Sequence, residues 1–177
     1  LTPVNGKIFK VVTTTRVSAE LKWADEDNQL DIINAIQEDQ SAALGRALDY
    51  VVYHAINPKA GTAMDGYTSL VSGANAVTAT DDYVADIDSM ADAIIDYNIN
   101  GIAMSRQFAS DLRKLRVPAT GLRLFPEIPL SLAAGNFDGI PASVSGTVNG
   151  RLAKTATKVL AIMGDFSLIK WGFVRDI

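Results

Sequence analysis

Between Glu26 and Ile56, apolar positions recur at spacings of three and four over one unusually long stretch. They run Leu30, Ile33 and Ile36, then Leu44, Leu48 and Val51, with Ala43, Ala47 and Ala55 widening the same face. This is the period of an amphipathic helix, and it predicts a continuous rod from Glu26 to Ile56. About 30 residues at 1.5 Å rise give roughly 45 Å, long against an average helix of about 11 residues. The polar run Gln37–Gln40 interrupts the stripe for about a turn. Gly45 lies within it at a cost of about 1 kcal/mol relative to alanine, which predicts a close contact there. Asn57-Pro58 stops the rod, because a residue before proline is driven out of the helical region.

The flanking patterns are shorter. Lys7–Val17 (KIFKVVTTTRV) is rich in β-branched residues and predicts a strand. Ser18–Trp23 then leads into Asp25, Glu26 and Asp27, acids suited to capping a helix and complementing its dipole. Lys59–Thr80 is rich in Gly, Ala, Ser and Thr and predicts an extended loop, with a short strand at Val71 or Val77. A structureless stretch of this length is usually functional or mobile. Thr80, Asp81 and Asp82 open a second helix whose apolar face is Val84, Ile87, Met90, Ala91, Ile94 and Ile95, and Asn100-Gly101 ends it. Ile102–Met104 predicts a short buried strand. Ser105 caps a third helix with Phe108, Leu112 and Leu115 inward, closed by Val117-Pro118. Strands are expected at Leu122–Phe125, Ile140–Ser145, Val159–Gly164 and Leu168–Val174, with Asn149-Gly150 as a turn between two of them. The order predicts an α+β or mixed fold with no repeated βαβ unit and no internal repeat.

Composition narrows the chemistry. The 177 residues suit one domain, or one compact domain with an appended element. With 16 basic and 20 acidic residues, the net charge of -4 argues against a nucleic-acid module. There is no cysteine, so disulfides, thiolate metal sites and cysteine nucleophiles are excluded. His54 is the only histidine, which removes the ligand pairs of most zinc hydrolases. No apolar run reaches the roughly 20 residues needed to cross a bilayer, and Leu1–Lys10 lacks the pattern of a secretory signal. Because the chain begins at Leu1, not Met, a fragment or processed product is expected.

Each candidate for chemistry has a plainer reading. Gly61, Gly66 and Gly73 match no phosphate-binding loop. Asp81, Asp82, Asp86, Asp88, Asp92 and Asp96 resemble a carboxylate metal site, but Asp88, Asp92 and Asp96 stack at spacings of four opposite the apolar face, as a solvated face does. His54 sits near the end of the long helix, far from Ser41, and reads as a helix-terminal or partly packed histidine. Arg106, Arg113, Lys114 and Arg116 give the third helix a basic tail. It serves the helix dipole, a subunit contact or a nucleic-acid contact, although aromatics for base stacking are missing. No catalytic, cofactor-binding or metal-ligating residue is assigned.

Two further segments stand out: Asn136–Ser145 (NFDGIPASVS) and Ile162–Ser167 (IMGDFS) followed by LIKWGFVRDI. In the second, glycine permits a tight turn, aspartate can bond the backbone two residues on, and phenylalanine plugs the adjacent core. The order is a strand ending in Arg16-Val17-Ser18, a long helix ending in ALDYVVYHAINP, a glycine-rich loop and helices around IAMSRQFASDLRKL. A GIP strand and GDFS follow. This order resembles the C-terminal two-thirds of tailed-phage major capsid proteins, which have the Hong Kong 97-like fold. The matching signatures are Ala47, Leu48 and Asp49, then Gly139-Ile140-Pro141, then Gly164-Asp165-Phe166.

The resemblance implies a structural, non-enzymatic shell protein of α+β class. Residues 1–57 would form part of a peripheral domain with the long helix as spine, and residues 58–177 an axial domain. The partners it implies are copies of the chain in pentamers and hexamers, a scaffold or portal protein, and packaged DNA held non-specifically. No cofactor and no membrane are implied. The place implied is the virion, assembled in the host cytoplasm. Lys59–Thr80 and Arg116–Leu132 are the expected capsomer contacts. The family's N-terminal arm, most of its extended hairpin and the strands after the GDF turn have no counterpart here. The rival readings are an encapsulin-like compartment shell, and a small hydrolase or binding domain with a site in the Gly/Ser-rich loop.

Overall fold

A computed structural model of the chain describes residues 8–28, 31–170 and 172. Its elements in order are α1 (Ala19–Asn28), α2 (Ile32–His54), α3 (Tyr83–Asp92), β1 (Gly101–Met104), α4 (Arg106–Lys114), β2 (Asn136–Phe137), β3 (Ile140–Val144), β4 (Ala161–Gly164) and a 3-10 turn, η1 (Phe166–Leu168).

The four strands form one sheet in the order β2-β3-β1-β4. β1 is central and buried along its whole length, which explains its unalternating apolar sequence GIAM. It pairs parallel with β3, Ile102 opposite Ala142, and antiparallel with β4, Ala103 opposite Ile162. The parallel pairing needs a crossover, and α4 begins it. Ser105 accepts from Phe108 N at 3.2 Å as the N-cap of α4, and Phe108, Ala109 and Leu112 face inward. β2 and β3 form a hairpin across Asp138 and Gly139, both at positive φ (47° and 81°), the conformation that Asp-Gly favours in two-residue hairpins. The core unites Ile87, Ile102, Met104, Phe108, Leu112, Ile128 and Phe137, with Tyr83 set edge-on to Phe108 at 5.7 Å.

Several expectations are corrected. The rod predicted over Glu26–Ile56 is divided. α1 starts earlier, at Ala19, and α2 starts at Ile32 after Asp31, which sits at φ 57°. Gln29 and Leu30 lie outside the described residues. Asp25 does cap a helix, but from within α1: its carboxylate accepts from Ile32 N at 2.6 Å and Ile33 N at 3.4 Å. The side chains of Glu26 and Asp27 are outside the described residues. The 23 residues of α2 are continuous and about 35 Å long, and Ala43, Ala47 and Tyr50 line a small crevice with Thr147, Leu152 and Ala153. A Cβ placed on Gly45 would meet nothing within 4 Å, so the close contact expected there is absent from the subunit.

Ile8–Val17 forms no strand. It is held by side-chain contacts, with Phe9 edge-on to Tyr67 at 5.6 Å and the Tyr67 hydroxyl donating to Ile8 O. Lys7 is outside the described residues. Neither Val71 nor Val77 forms a strand. α3 ends at Asp92, well short of Asn100, and residues 93–97 turn while Asn75 Nδ2 donates to Ala93 O. Leu122–Phe125 provides only a single bridge, Arg116 to Arg123, because Pro126 cannot extend a ladder. β4 begins at Ala161, not Val159. Leu168 closes η1 and residues 169 and 170 are not in a strand, while Trp171, Phe173 and Val174 are outside the described residues. Gly150 does turn at φ 66°. It joins β3 to β4, strands separated by β1 and not paired as a hairpin.

Candidate functional site

The aspartates do not converge. Asp81, Asp82, Asp88, Asp92 and Asp96 are exposed, and among the described residues no three acidic or histidine side chains are placed to hold a metal ion. Asp82 is the N-cap of α3, accepting from Val84 N and Ala85 N at 3.2 Å each. Asp86 differs from these exposed aspartates. It is buried, and its carboxylate accepts from Thr80 N at 2.9 Å and Thr80 Oγ1 at 2.8 Å. It pins the loop to the helix.

A cleft of about 690 Å³ lies between residues 71–79, α3 and β4, walled by Val77, Met90, Ile94, Phe108 and Ile162. Its lining is mostly apolar, with Asn75, Asp86, Tyr97 and Lys158 as its polar members and no serine, threonine, histidine or cysteine. Its carboxylate, Asp86, is already engaged by Thr80.

His54 is 8% exposed at the C-terminus of α2. Its Nε2 lies 3.2 Å from Thr147 O and 2.9 Å from Val148 O. Both partners are acceptors, so Nε2 carries the hydrogen of the neutral ring. Burial lowers the pKa of the ring, and the two carbonyls partly oppose that. The neighbouring Tyr50 ring is 5.0 Å away and its hydroxyl donates to Thr155 O at 2.6 Å. Burial raises the pKa of Asp49, and it raises that of Tyr53 with help from the Asp49 charge. Gly150 closes this junction, since a Cβ there would sit 2.7 Å from Thr155 O and 2.9 Å from Tyr50 Cε2. His54 is therefore a packed structural histidine that fastens α2 to the 147–155 turn.

In the GDF segment only the aspartate behaves as expected: Gly164 ends β4 opposite Gly101 without a positive φ, and Phe166 is partly buried outside the core cluster. Asp165 Oδ1 accepts from Ser167 N at 3.0 Å, two residues on, and also from the Ser167 hydroxyl, a bond that leads in lowering its pKa. Asn100 clamps the turn, accepting from Phe166 N at 2.8 Å. The Phe166 ring lies over Gly101, where a Cβ would meet Cδ2 at 2.8 Å.

What remains is surface. The sequence holds a small repeat that periodicity misses: Asn57-Pro58-Lys59-Ala60-Gly61-Thr62 and Val117-Pro118-Ala119-Thr120-Gly121-Leu122. Each begins three residues after a helix and forms the same knuckle. Gly61 N donates to Asn57 O and Gly121 N to Val117 O, both at 2.8 Å, and Asn57 N donates to Thr62 O as Val117 N does to Leu122 O. Bridges Ile56–Ala63 and Arg116–Arg123 close the two necks, and Gly61 and Gly121 take the required positive φ of 74° and 67°. The shared x-Pro-x-x-Gly-x spacing after a helix is the signal. The first knuckle is seated, with Lys154 N donating to Pro58 O and Thr155 Oγ1 to Gly61 O. The hydrogen bonds of the second are all internal, and residues 118–122 are exposed.

The basic tail of α4 serves mainly its helix terminus. Arg116 Nη1 donates to Arg113 O at 2.8 Å and Leu115 O at 3.1 Å, and Lys114 pairs with Asp111 at 2.7 Å. Arg106 is exposed at the opposite end of α4. Along α2 only Tyr50, Val51 and His54 are buried; Ile33, Ile36, Ala43, Leu44 and Ala47 are partly covered inside the subunit and Leu48 is exposed. No helix among the described residues is long and apolar enough to cross a membrane.

The fold as a whole is similar to known proteins. A solved chain from Mycobacterium phage Ogopogo is 33% identical and superposes with a TM-score of 0.70, over 86% of this chain and 55% of its own. One from Gordonia phage Cozz is 24% identical, with a TM-score of 0.59 over 93% of this chain and 60% of its own, and shows a likeness of fold alone. The chain thus spans somewhat over half the length of these structures. A comparison with curated proteins gave no match. The family model described as phage capsid protein matches residues 6–176, and the chain belongs to that family.

Proposed function

We propose that this chain is the shell-building part of a phage major capsid protein, whose copies gather into pentamers and hexamers of an icosahedral head around packaged DNA. Family membership over residues 6–176 carries the reading. The division into a peripheral part, residues 1–57, and an axial part, residues 58–177, is supported by the core. Its buried members run from Ile87 to Phe137, and none comes from α2. α2 is most deeply buried in its last turn, at Tyr50, Val51 and His54, and Ala43 and Ala47 line a crevice with Leu152 and Ala153, which leaves roughly its first three turns for neighbouring subunits. Many modest contacts repeated by symmetry sum to a stable shell. The role is structural, and with a net charge of -4 packaged DNA is at most a weak, non-specific partner. A scaffold or portal protein is a further partner on this reading, with assembly in the host cytoplasm and the virion as destination.

The test is electron microscopy of the full-length protein expressed with any scaffold it requires. Closed shells or rings are expected. A protein that stays monomeric at all concentrations contradicts the proposal.

A further inference from the structure

Shell assembly requires that copies meet, and two surfaces at opposite edges of the sheet answer each other in charge and polarity. The edges are β2 and β4. Beside β2, Phe125 packs on Phe137 with ring centroids 5.1 Å apart. The chain around it presents the bare knuckle, with Leu122 67% and Leu130 73% exposed. Its neck places Arg116 and Arg123 directly opposite one another. Like charges opposed across a bridge repel, and neither arginine forms an ion pair among the described residues. The arrangement favours an anionic neighbour.

Beside β4, the end of α3 shares a cleft with residues 158–163 through Met90 and Ile94. Its outer side is acidic and partly apolar. Asp88, Asp92 and Asp96 are exposed, and with them Ile95 at 75% and Tyr97 at 61%.

We propose that the arginine-flanked knuckle around Leu122 of one copy docks head to tail on the acidic end of α3 of the next. The proposal rests on the capsid reading and adds to it the surfaces that meet. The two patches differ from each other, so the contact is heterologous and propagates around a ring where a twofold dimer would need one self-complementary patch. Burial of Leu122 against Ile95 and Tyr97 would supply the apolar centre, and the arginine–aspartate pairs would supply the rim and register.

The test uses the full-length protein with any scaffold it needs. Arg116→Glu with Arg123→Glu should lower the assembled fraction by about tenfold or more, and so should Asp92→Lys with Asp96→Lys. Combining all four should restore assembly to within about threefold of the starting protein. Circular dichroism identifies any variant that fails to fold. A second measurement exploits the absence of cysteine: Leu122→Cys with Tyr97→Cys should yield a ladder of disulfide-linked oligomers in assembled particles and none in dilute subunits. Charge-reversed proteins that assemble normally, or double-cysteine particles without a ladder, overturn the proposal. Arginine variants that assemble fully but retain less DNA overturn it too, in favour of a nucleic-acid contact. If the unaltered protein forms no rings or shells, the capsid reading falls and this proposal with it.

Discussion

Above neutral pH the buried ring of His54 is uncharged, and one hydrogen on Nε2 serves two carbonyls of the 147–155 turn. Burial holds its pKa below the ordinary histidine value of about 6.5. The unfolded chain therefore takes up the proton first as pH falls, and stability is lost from about pH 6.5 downward toward the folded value. Thermal melts should show stability falling as pH drops below about 6.5, and His54→Gln, which keeps a donor but does not titrate there, should flatten that fall. Burial raises the Asp49 pKa, which acts with the opposite sign, so the comparison between the two proteins isolates the ring. An unchanged slope in His54→Gln would contradict this. At Gly150 the constraint is steric: φ is 66° and a Cβ would press on Thr155 O and Tyr50. Gly150→Ala should destabilise by about 1–3 kcal/mol from backbone strain, with overpacking in addition. Gly73→Ala, with φ of 80° and open space around it, should cost only the strain. Equal losses in chemical denaturation would contradict the packing argument.

At the scale of elements, what the sequence made legible follows from locality. The central strand GIAM and the Ser105 cap each depend on neighbours a few residues away, and each forms as its pattern implies; the Asp138-Gly139 hairpin is equally local, but its two-residue first strand, β2, is too short to show in the pattern. The divided rod was hidden because the stripe from Leu30 to Val51 keeps its period across the break. Asp31 leaves the helix while Asp25 folds back to cap α2, a contact across seven residues that no periodicity carries. Ile8–Val17 has strand propensity but no strand to pair with, and propensity without a partner gives no ladder. Of the proposed assembly surfaces, Lys59–Thr80 is legible as an extended loop from its composition alone. The tethers of His54 are not, since its partners lie 93 and 94 residues away. Gly45 yields a prediction on this scale. It is exposed in mid-helix with open space around it, so Gly45→Ala should stabilise the free subunit by about 0.5–1 kcal/mol, measured by urea denaturation. If Gly45 abuts a neighbour in the shell, the same variant should assemble less well despite its greater stability.

For the molecule as a whole, the sheet and its helices build a complete core while α2 contributes only its last turn. Ile33, Ile36 and Leu44 are only partly buried within the subunit and Leu48 is 38% exposed, and a partner that completes the cover is the physical remedy for such a stripe. The central claim is that sister copies supply that cover. Hydrogen exchange of full-length protein, compared between free subunits and assembled particles, tests it most directly. Backbone amides from Ile32 to Leu48 should exchange markedly more slowly in particles, while β1, already buried, should change little. Exchange along α2 that is the same in both states would contradict the account.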